Sequence, residues 1–243
     1  MYKSIIMAIL FFTGTMLYGQ AGQFFDAPFG GGIGYVPAWY IPNVSPINTE
    51  LNKIGMPELS SSGFYSSGIA GFLYLGFVKD LRIGGMGFGG SLSTSQTVDN
   101  VNREVVYSLS GGGVTIEYTL PFIKNVGVSV GAVIGAGSLE LDLYRNSGNF
   151  SWGGMWQELN EPNQTLDNYY GKLRNHYWTF TPTVNVDYPV YRFVVLRLGV
   201  GYQLAFANEW TADNDQSVSN IPSDLNSNSF FIQSGIFIGF FSF

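Results

Sequence analysis

The 243-residue chain contains no cysteine. That excludes disulfides, thiol catalysis, thiolate-bound metals and an N-terminal lipid-bearing cysteine. Charge is scarce as well: Asp, Glu, Lys and Arg make up 12% of the residues, about half the share of an ordinary soluble domain. The formal net charge is −6 and no basic run is present, so the Lys/Arg footprint of a nucleic-acid binder is missing. Beyond the N-terminal segment no uncharged apolar run approaches the ~20 residues that a membrane-spanning helix needs. Yet 46% of the chain is hydrophobic, 16% is aromatic and 32 residues are glycine. Apolar character that is abundant but dispersed, on a glycine-rich backbone, points away from an ordinary soluble enzyme and toward strands.

The N-terminus reads as an export signal. It carries Lys3, an apolar stretch from Ile5 to Leu17, then the small residues Gly19 and Ala21, the layout of a cleavable secretory peptide. Residues 1–21 are therefore assigned to a signal peptide and 22–243 to one exported domain, with no linker or second domain in view.

Taken in steps of two, the exported part resolves into strands. In "LRLGVGYQLAF", Leu196, Leu198, Val200, Tyr202, Leu204 and Phe206 alternate with Arg197, Gly199, Gly201, Gln203 and Ala205, one face apolar and the other polar or tiny. "WTFTPTVNVDY" alternates likewise, with Pro182 on the apolar face as a candidate bulge. The same period gives eight strands, near 28–36, 64–77, 81–93, 105–120, 125–144, 177–188, 194–207 and 229–243. Three connections are tight, near 76–80, 120–125 and 188–193. Four are long and polar: 37–63, 94–104, 145–176 and 208–228. A four-residue unit follows each tight turn: "LRIG" at 81–84, "VSVG" at 128–131 and "LRLG" at 196–199. Eight strands with tight turns at one end and long loops at the other describe an all-β, transmembrane, antiparallel up-and-down barrel with short periplasmic turns and long extracellular loops. The sequence runs apolar through "SGIFIGFFSF", as a last strand does when it pairs with the first and leaves no edge.

With the signal peptide, the glycine-rich strands and that ending, the chain resembles the small outer-membrane barrels that include the OmpA transmembrane domain, OmpX and OmpW. The resemblance implies residence in the bacterial outer membrane, among its lipids and lipopolysaccharide. It also implies that Phe237, Phe241 and Phe243 form the C-terminal signal recognised by the barrel-insertion machinery, Phe243 joining the periplasmic aromatic girdle.

An eight-stranded barrel is filled by side chains or holds one small ligand. The phase set by "LRLG" turns Arg82, Glu117, Asp187 and Arg197 inward near the periplasmic turns, as the pairs Arg82–Glu117 and Asp187–Arg197. Opposite charges in a confined space pair, so these residues are expected to form a neutral plug, with a gated ion path as the functional alternative. Higher up, Thr179, Thr181, Thr183 and Gln203 face inward from one side. Phe72, Tyr74, Met86, Phe88, Leu92, Tyr107, Leu109, Leu139, Leu141 and Leu143 face inward from the other. Three readings of that apolar set stand open: it fills the barrel; glycine bulges at 111–113 and 135–137 flip it outward; or it lines a pocket for a small apolar molecule or lipid chain, as the OmpW-like apolar lumen implies. Glu140 and Asp142 face outward, above the hydrocarbon.

Between the first two strands, "SPINTELNKIG" reads as a short helix with Ser45 as cap, Pro46 in its first turn and Gly55 at its end. Ile47, Leu51 and Ile54 share a face. The helix either caps the lumen as a lid or packs on its own loop under Trp39, Tyr40, Trp152 and Trp156. Catalytic and metal signals are thin. The single histidine, His176, lies near the outer rim with acidic loop residues such as Asp167 nearby, but without a recognised nucleophile pattern. "DND" at 213–215 offers oxygen ligands without the spacing of a calcium loop. The sequence is read as that of a non-enzyme without cofactor or bound metal.

Overall fold

A computed structural model describes residues 30–121, 123, 126–147, 151–160, 168–191 and 193–241. The signal peptide assigned to 1–21 and the terminal Phe243 lie outside these residues. The strands are β1 (Gly30–Tyr35), β2 (Ala38–Pro42), β3 (Phe64–Tyr74), β4 (Leu81–Val98), β5 (Val101–Thr119), β6 (Gly127–Asn146), β7 (Tyr169–Tyr191), β8 (Val194–Ala212), β9 (Gln216–Ser217) and β10 (Ser229–Phe241). Two helices, α1 (Ser45–Lys53) and α2 (Trp152–Asn160), sit in the connections after β2 and β6.

These strands form eight staves. β1 and β2 are one stave: both pair with β10 and β3, and the register across the gap is continuous, from Tyr35↔Ile236 to Ala38↔Gln233. The interruption is Pro37, which has no N–H for the ladder but still accepts a bond from the Ser234 amide at 2.9 Å. Each stave pairs antiparallel with its neighbour through to β8, β8 pairs with β10, and β10 returns to β1. The ring is closed and the chain is an eight-stranded barrel. The two-residue β9 is a short hairpin partner at the end of β8.

The observed strands correct several sequence boundaries: β3 ends at Tyr74 and not at 77, and β8 runs to Ala212 and not to 207. The first stave continues through Pro42 instead of ending before a loop. The segment 94–104 is a hairpin, with Val98 opposite Val101. Its two-residue turn, Asp99 and Asn100, has φ of 50° and 62°, the left-handed pair whose twist matches that of the flanking strands. β7 starts at Tyr169, not near 177. The candidate bulges are absent: β5 and β6 pair without a break from Asn102↔Asn146 to Thr119↔Ser129, and Pro182 sits in register opposite Ala132. The irregularities of β7 fall instead against β8, at Asn175/Tyr177 and Pro189/Tyr191.

The outer face carries an apolar belt. Leu196, Leu198, Val200, Tyr202, Leu204 and Phe206 are exposed on β8, and Ile232, Ile236, Ile238 and Phe240 on β10. Aromatic rings mark both margins, Phe77, Tyr191, Phe193 and Phe240 at the turn end and Trp39, Tyr65, Trp178 and Phe206 toward the loops. Such a belt, ~25 Å tall with aromatic girdles, is the outer surface of a membrane-spanning barrel. A tilted strand gains about 2.5 Å of height per residue, so ten residues cross the belt. β4 to β8 have 18–23 residues, and their loop-side ends therefore stand clear of it as a tall wall. On that wall Glu140 pairs with Lys172 at 2.5 Å and Arg174 at 2.9 Å, and the Tyr170 hydroxyl donates to Asp142 at 3.0 Å.

Candidate functional site

The lumen has two layers, and the four-residue repeat builds the lower one. In each unit the two apolar residues face out, and the second and fourth residues face in. The inward second residues are Arg82, Ser129 and Arg197. Arg82 donates through Nε to Glu117 at 2.6 Å, through Nη1 to Asp187 at 2.6 Å and through Nη2 to Ser129 at 2.7 Å. Arg197 donates to both Asp187 oxygens, at 2.7 and 2.9 Å, and its Nη1 lies 3.6 Å from Glu117. The layer continues through Asn185, which donates to Glu117 at 2.6 Å and accepts from Gln233 at 2.6 Å. Two guanidinium groups and two carboxylates thus form one neutral network. All four are buried, and each charge has charged and hydrogen-bonded partners, the condition under which buried ions are tolerated.

The fourth residue of each unit is glycine for lack of space. A Cβ at Gly199 would overlap Asn185 Oδ1, one at Gly131 would lie 2.8 Å from Glu117 Cγ, and one at Gly84 2.7 Å from the Thr115 hydroxyl. Aromatic rings close the layer. The Arg82 guanidinium lies 4.6 Å from the centre of the Phe72 ring, and that of Arg197 4.5 Å from Phe237, distances at which the ring face attracts a cation. Phe72 and Tyr74 belong here and not to the upper apolar set. Phe237 is likewise turned into the lumen, Phe241 pairs with Gly30 at the end of the ladder, and the exposed ring at this margin is Phe240.

The upper layer is apolar. Tyr107, Leu109, Leu139 and Leu141 are buried in one cluster with Tyr40, Phe64 and Phe231, and Phe88, Leu92 and Leu143 pack against it. Tyr40 lies between Phe88 and Phe231, 4.9 Å from each ring. Met86 borders a cavity of about 20 Å³ between the layers, beside Thr115, Glu117, Thr183, Asn185, Arg197 and Gln233.

α1 closes the top. Ile47 and Leu51 are buried in the same cluster, with Val44, Met56 and Leu59 from the flanking chain. Asn48 fixes the return segment by donating to the Leu59 carbonyl at 3.0 Å and accepting from its amide at 2.8 Å. Three expected details fail. Ile54 is 54% exposed, because the helix ends at Lys53 and Ile54 is its C-cap. Ser45 lies inside the helix after Val44, and its amide is held by Asn43 Oδ1 at 3.1 Å. Nor do Trp39, Trp152 and Trp156 cover α1, since all three are exposed. Met56 and Leu59 were missed because they follow the helix stop at Gly55 and lie off its periodic face.

His176 is exposed on the outer wall opposite Ser138, whose hydroxyl lies 3.2 Å from that of Ser110. Asp167 lies outside the described residues. Asp213–Asp215 form a 3₁₀ turn, and among the described residues no group of three His, Cys, Asp or Glu side chains could hold a metal.

No protein-family model and no curated protein matches the sequence. Among solved structures the chain is similar to Ail, the attachment invasion locus protein of Yersinia pestis, in complex with the heparin analogue sucrose octasulfate. The identity is 9% and the TM-score 0.43, over 87% of this chain and 99% of that one. It is also similar to a major outer membrane protein from Thermus thermophilus, at 8% identity and TM-score 0.46, over 86% and 99% of the two chains. The corresponding figures for Neisserial surface protein A are 11% and 0.36, over 87% and 97%.

Proposed function

We propose that this outer-membrane β-barrel works through its loop-bearing surface and as a structural element of the membrane, its lumen being closed to transport. The observation that carries the reading is the continuous filling of the barrel: the ionic layer of Arg82, Glu117, Asp187 and Arg197 below, and the apolar cluster capped by Ile47 and Leu51 of α1 above. A pore needs a connected aqueous path, and neither layer offers one. The partners of such a protein are the surrounding lipids and lipopolysaccharide, the insertion machinery during assembly, and whatever its outer surface engages. Planar-bilayer recordings of the purified barrel test this directly: silence is expected, and steady single-channel conductance would overturn it.

A second reading rests on a different observation. The Tyr107 hydroxyl is buried in the apolar cluster without a hydrogen-bond partner, and a buried polar group left unpaired is costly. An apolar guest with one polar end, admitted by displacement of α1, would satisfy it. Native mass spectrometry of membrane-derived and refolded protein separates the two. A stoichiometric apolar molecule on the membrane-derived form, lost in a Phe88→Asp/Leu141→Asp variant, would favour binding, and an empty barrel favours the closed one.

A further inference from the structure

α2 presents an apolar face to open solvent. Ser151 caps it, accepting the Gly154 amide at 3.0 Å through its hydroxyl and the Met155 amide at 3.1 Å through its carbonyl. Trp152, Met155 and Trp156 are 75%, 46% and 57% exposed. At spacings of three and four they share one side of the helix, and the two indoles meet edge to face with centroids 5.6 Å apart. Clustered exposed aromatics of this kind mark interaction sites in soluble surroundings.

The bilayer is not the surroundings here. On β6 the outer face turns from apolar to polar after Ala136, with Ser138, Glu140 and Asp142 following, and the strand continues to Asn146. Ten more residues add roughly 25 Å of height, so α2 begins well outside the hydrocarbon.

Charge selects the occupant. Among the described residues, the segments at the loop end (43–63, 91–110, 138–147, 151–160, 168–176 and 207–228) hold eleven acidic and five basic residues, a balance of −6 that equals the net charge of the whole chain. No Lys or Arg occurs from Asn146 to Gly171 or from Ala207 to Asn228. Glu209, Asp213, Asp215 and Asp224 are exposed in the latter segment. Asp213 stands against the top of β7, its carboxylate 3.5 Å from the Lys172 amide nitrogen. An acidic end of this size disfavours an acidic polypeptide and steers a cationic one toward it.

From these features we infer that α2 is a docking face for a basic, amphipathic polypeptide whose apolar side covers Trp152, Met155 and Trp156 while its cations meet the acidic rim. The inference rests on the surface-acting reading above and names the class of partner. The test uses the full barrel in zwitterionic phosphatidylcholine nanodiscs. The probes are a labelled 18-residue Lys/Leu amphipathic helix, a Glu/Leu peptide of the same pattern and oligolysine, with empty nanodiscs as control. The expected result is binding of the Lys/Leu peptide at least tenfold tighter than of either other probe or to empty discs. That binding weakens with salt and falls tenfold or more in W152A/W156A, whose folding is verified by heat-dependent gel migration. Equal binding by the double variant, by oligolysine or by empty discs overturns the docking face, as does no binding at all. A barrel that stays electrically silent yet ignores the peptide removes the docking face and leaves the surface-acting reading standing.

Discussion

Arg82 and Arg197 look equivalent in the repeat but are not equivalent in the lumen. Arg82 divides its donors among three strands, bonding Glu117, Asp187 and Ser129, whereas Arg197 directs its short bonds to Asp187 alone. Removing one partner of a buried ion pair costs about 3–5 kcal/mol, because the remaining charge is left uncompensated. Arg82→Met leaves Glu117 with only the Asn185 amide and the more distant Arg197 Nη1, and removes one of the two cations on Asp187, so it should fall at the upper end of that range. Arg197→Met should fall at the lower end, since Arg82 still holds Asp187. Urea unfolding of the refolded variants, followed by tryptophan fluorescence, measures both. Equal losses would mean that the network does not act through the bonds seen here.

At the scale of the strand, what matters is which face a side chain takes. Leu198 follows Arg197 in the sequence but faces lipid, 60% exposed. Leu198→Arg places a cation in the belt, at a cost of about 2–4 kcal/mol near the bilayer midplane. Folding yield into vesicles should drop while the lumen layer is untouched, and tolerance of the change would reverse the assigned faces. Strand phase was legible in the sequence because a period of two fixes every side chain once one is placed, and the unit "LRLG" places it. Tight turns were legible from their length. The first stave was cut short because Pro37 breaks the pattern without breaking the register. The 94–104 hairpin was taken for a loop because its Ser, Thr and Asn content resembles one, although Asp99–Asn100 is good hairpin-turn chemistry. α2 was missed: Gly153 and Gly154 disguise a helix that Ser151 caps. The link from Arg82 to Asp187 passes over two intervening strands, β5 and β6, and alternation along one strand does not report on contacts across a lumen.

At the scale of the whole molecule, the proposed closed barrel has two seals, the ionic layer and the capped apolar layer, that should act independently. Replacing residues 44–59 with a short Gly/Ser linker removes α1 and its Leu59 anchor, and should open the upper cluster to solvent. The variant should still not conduct, because the ionic layer below is intact. Adding Arg82→Ser and Glu117→Ser to it should produce measurable conductance. Current through the first variant would place the seal in the helix alone.

The ionic layer also bears on the order of assembly. Its charged and hydroxyl members come one each from β4, β5, β6, β7 and β8, five consecutive strands, so charge neutralisation does not wait for β10 to meet β1. Arg82 on β4 reaches past β5 and β6 to Asp187 on β7, a contact that requires the sheet between them to be curved. From the closing side, β10 adds Gln233, which donates to Asn185, and the Phe237 ring, which lies against the Arg197 guanidinium. The most expensive charges are thus compensated entirely by consecutive strands β4 to β8, an arrangement that an open, bent sheet can already hold, while the seam between β10 and β1 is fastened by backbone hydrogen bonds.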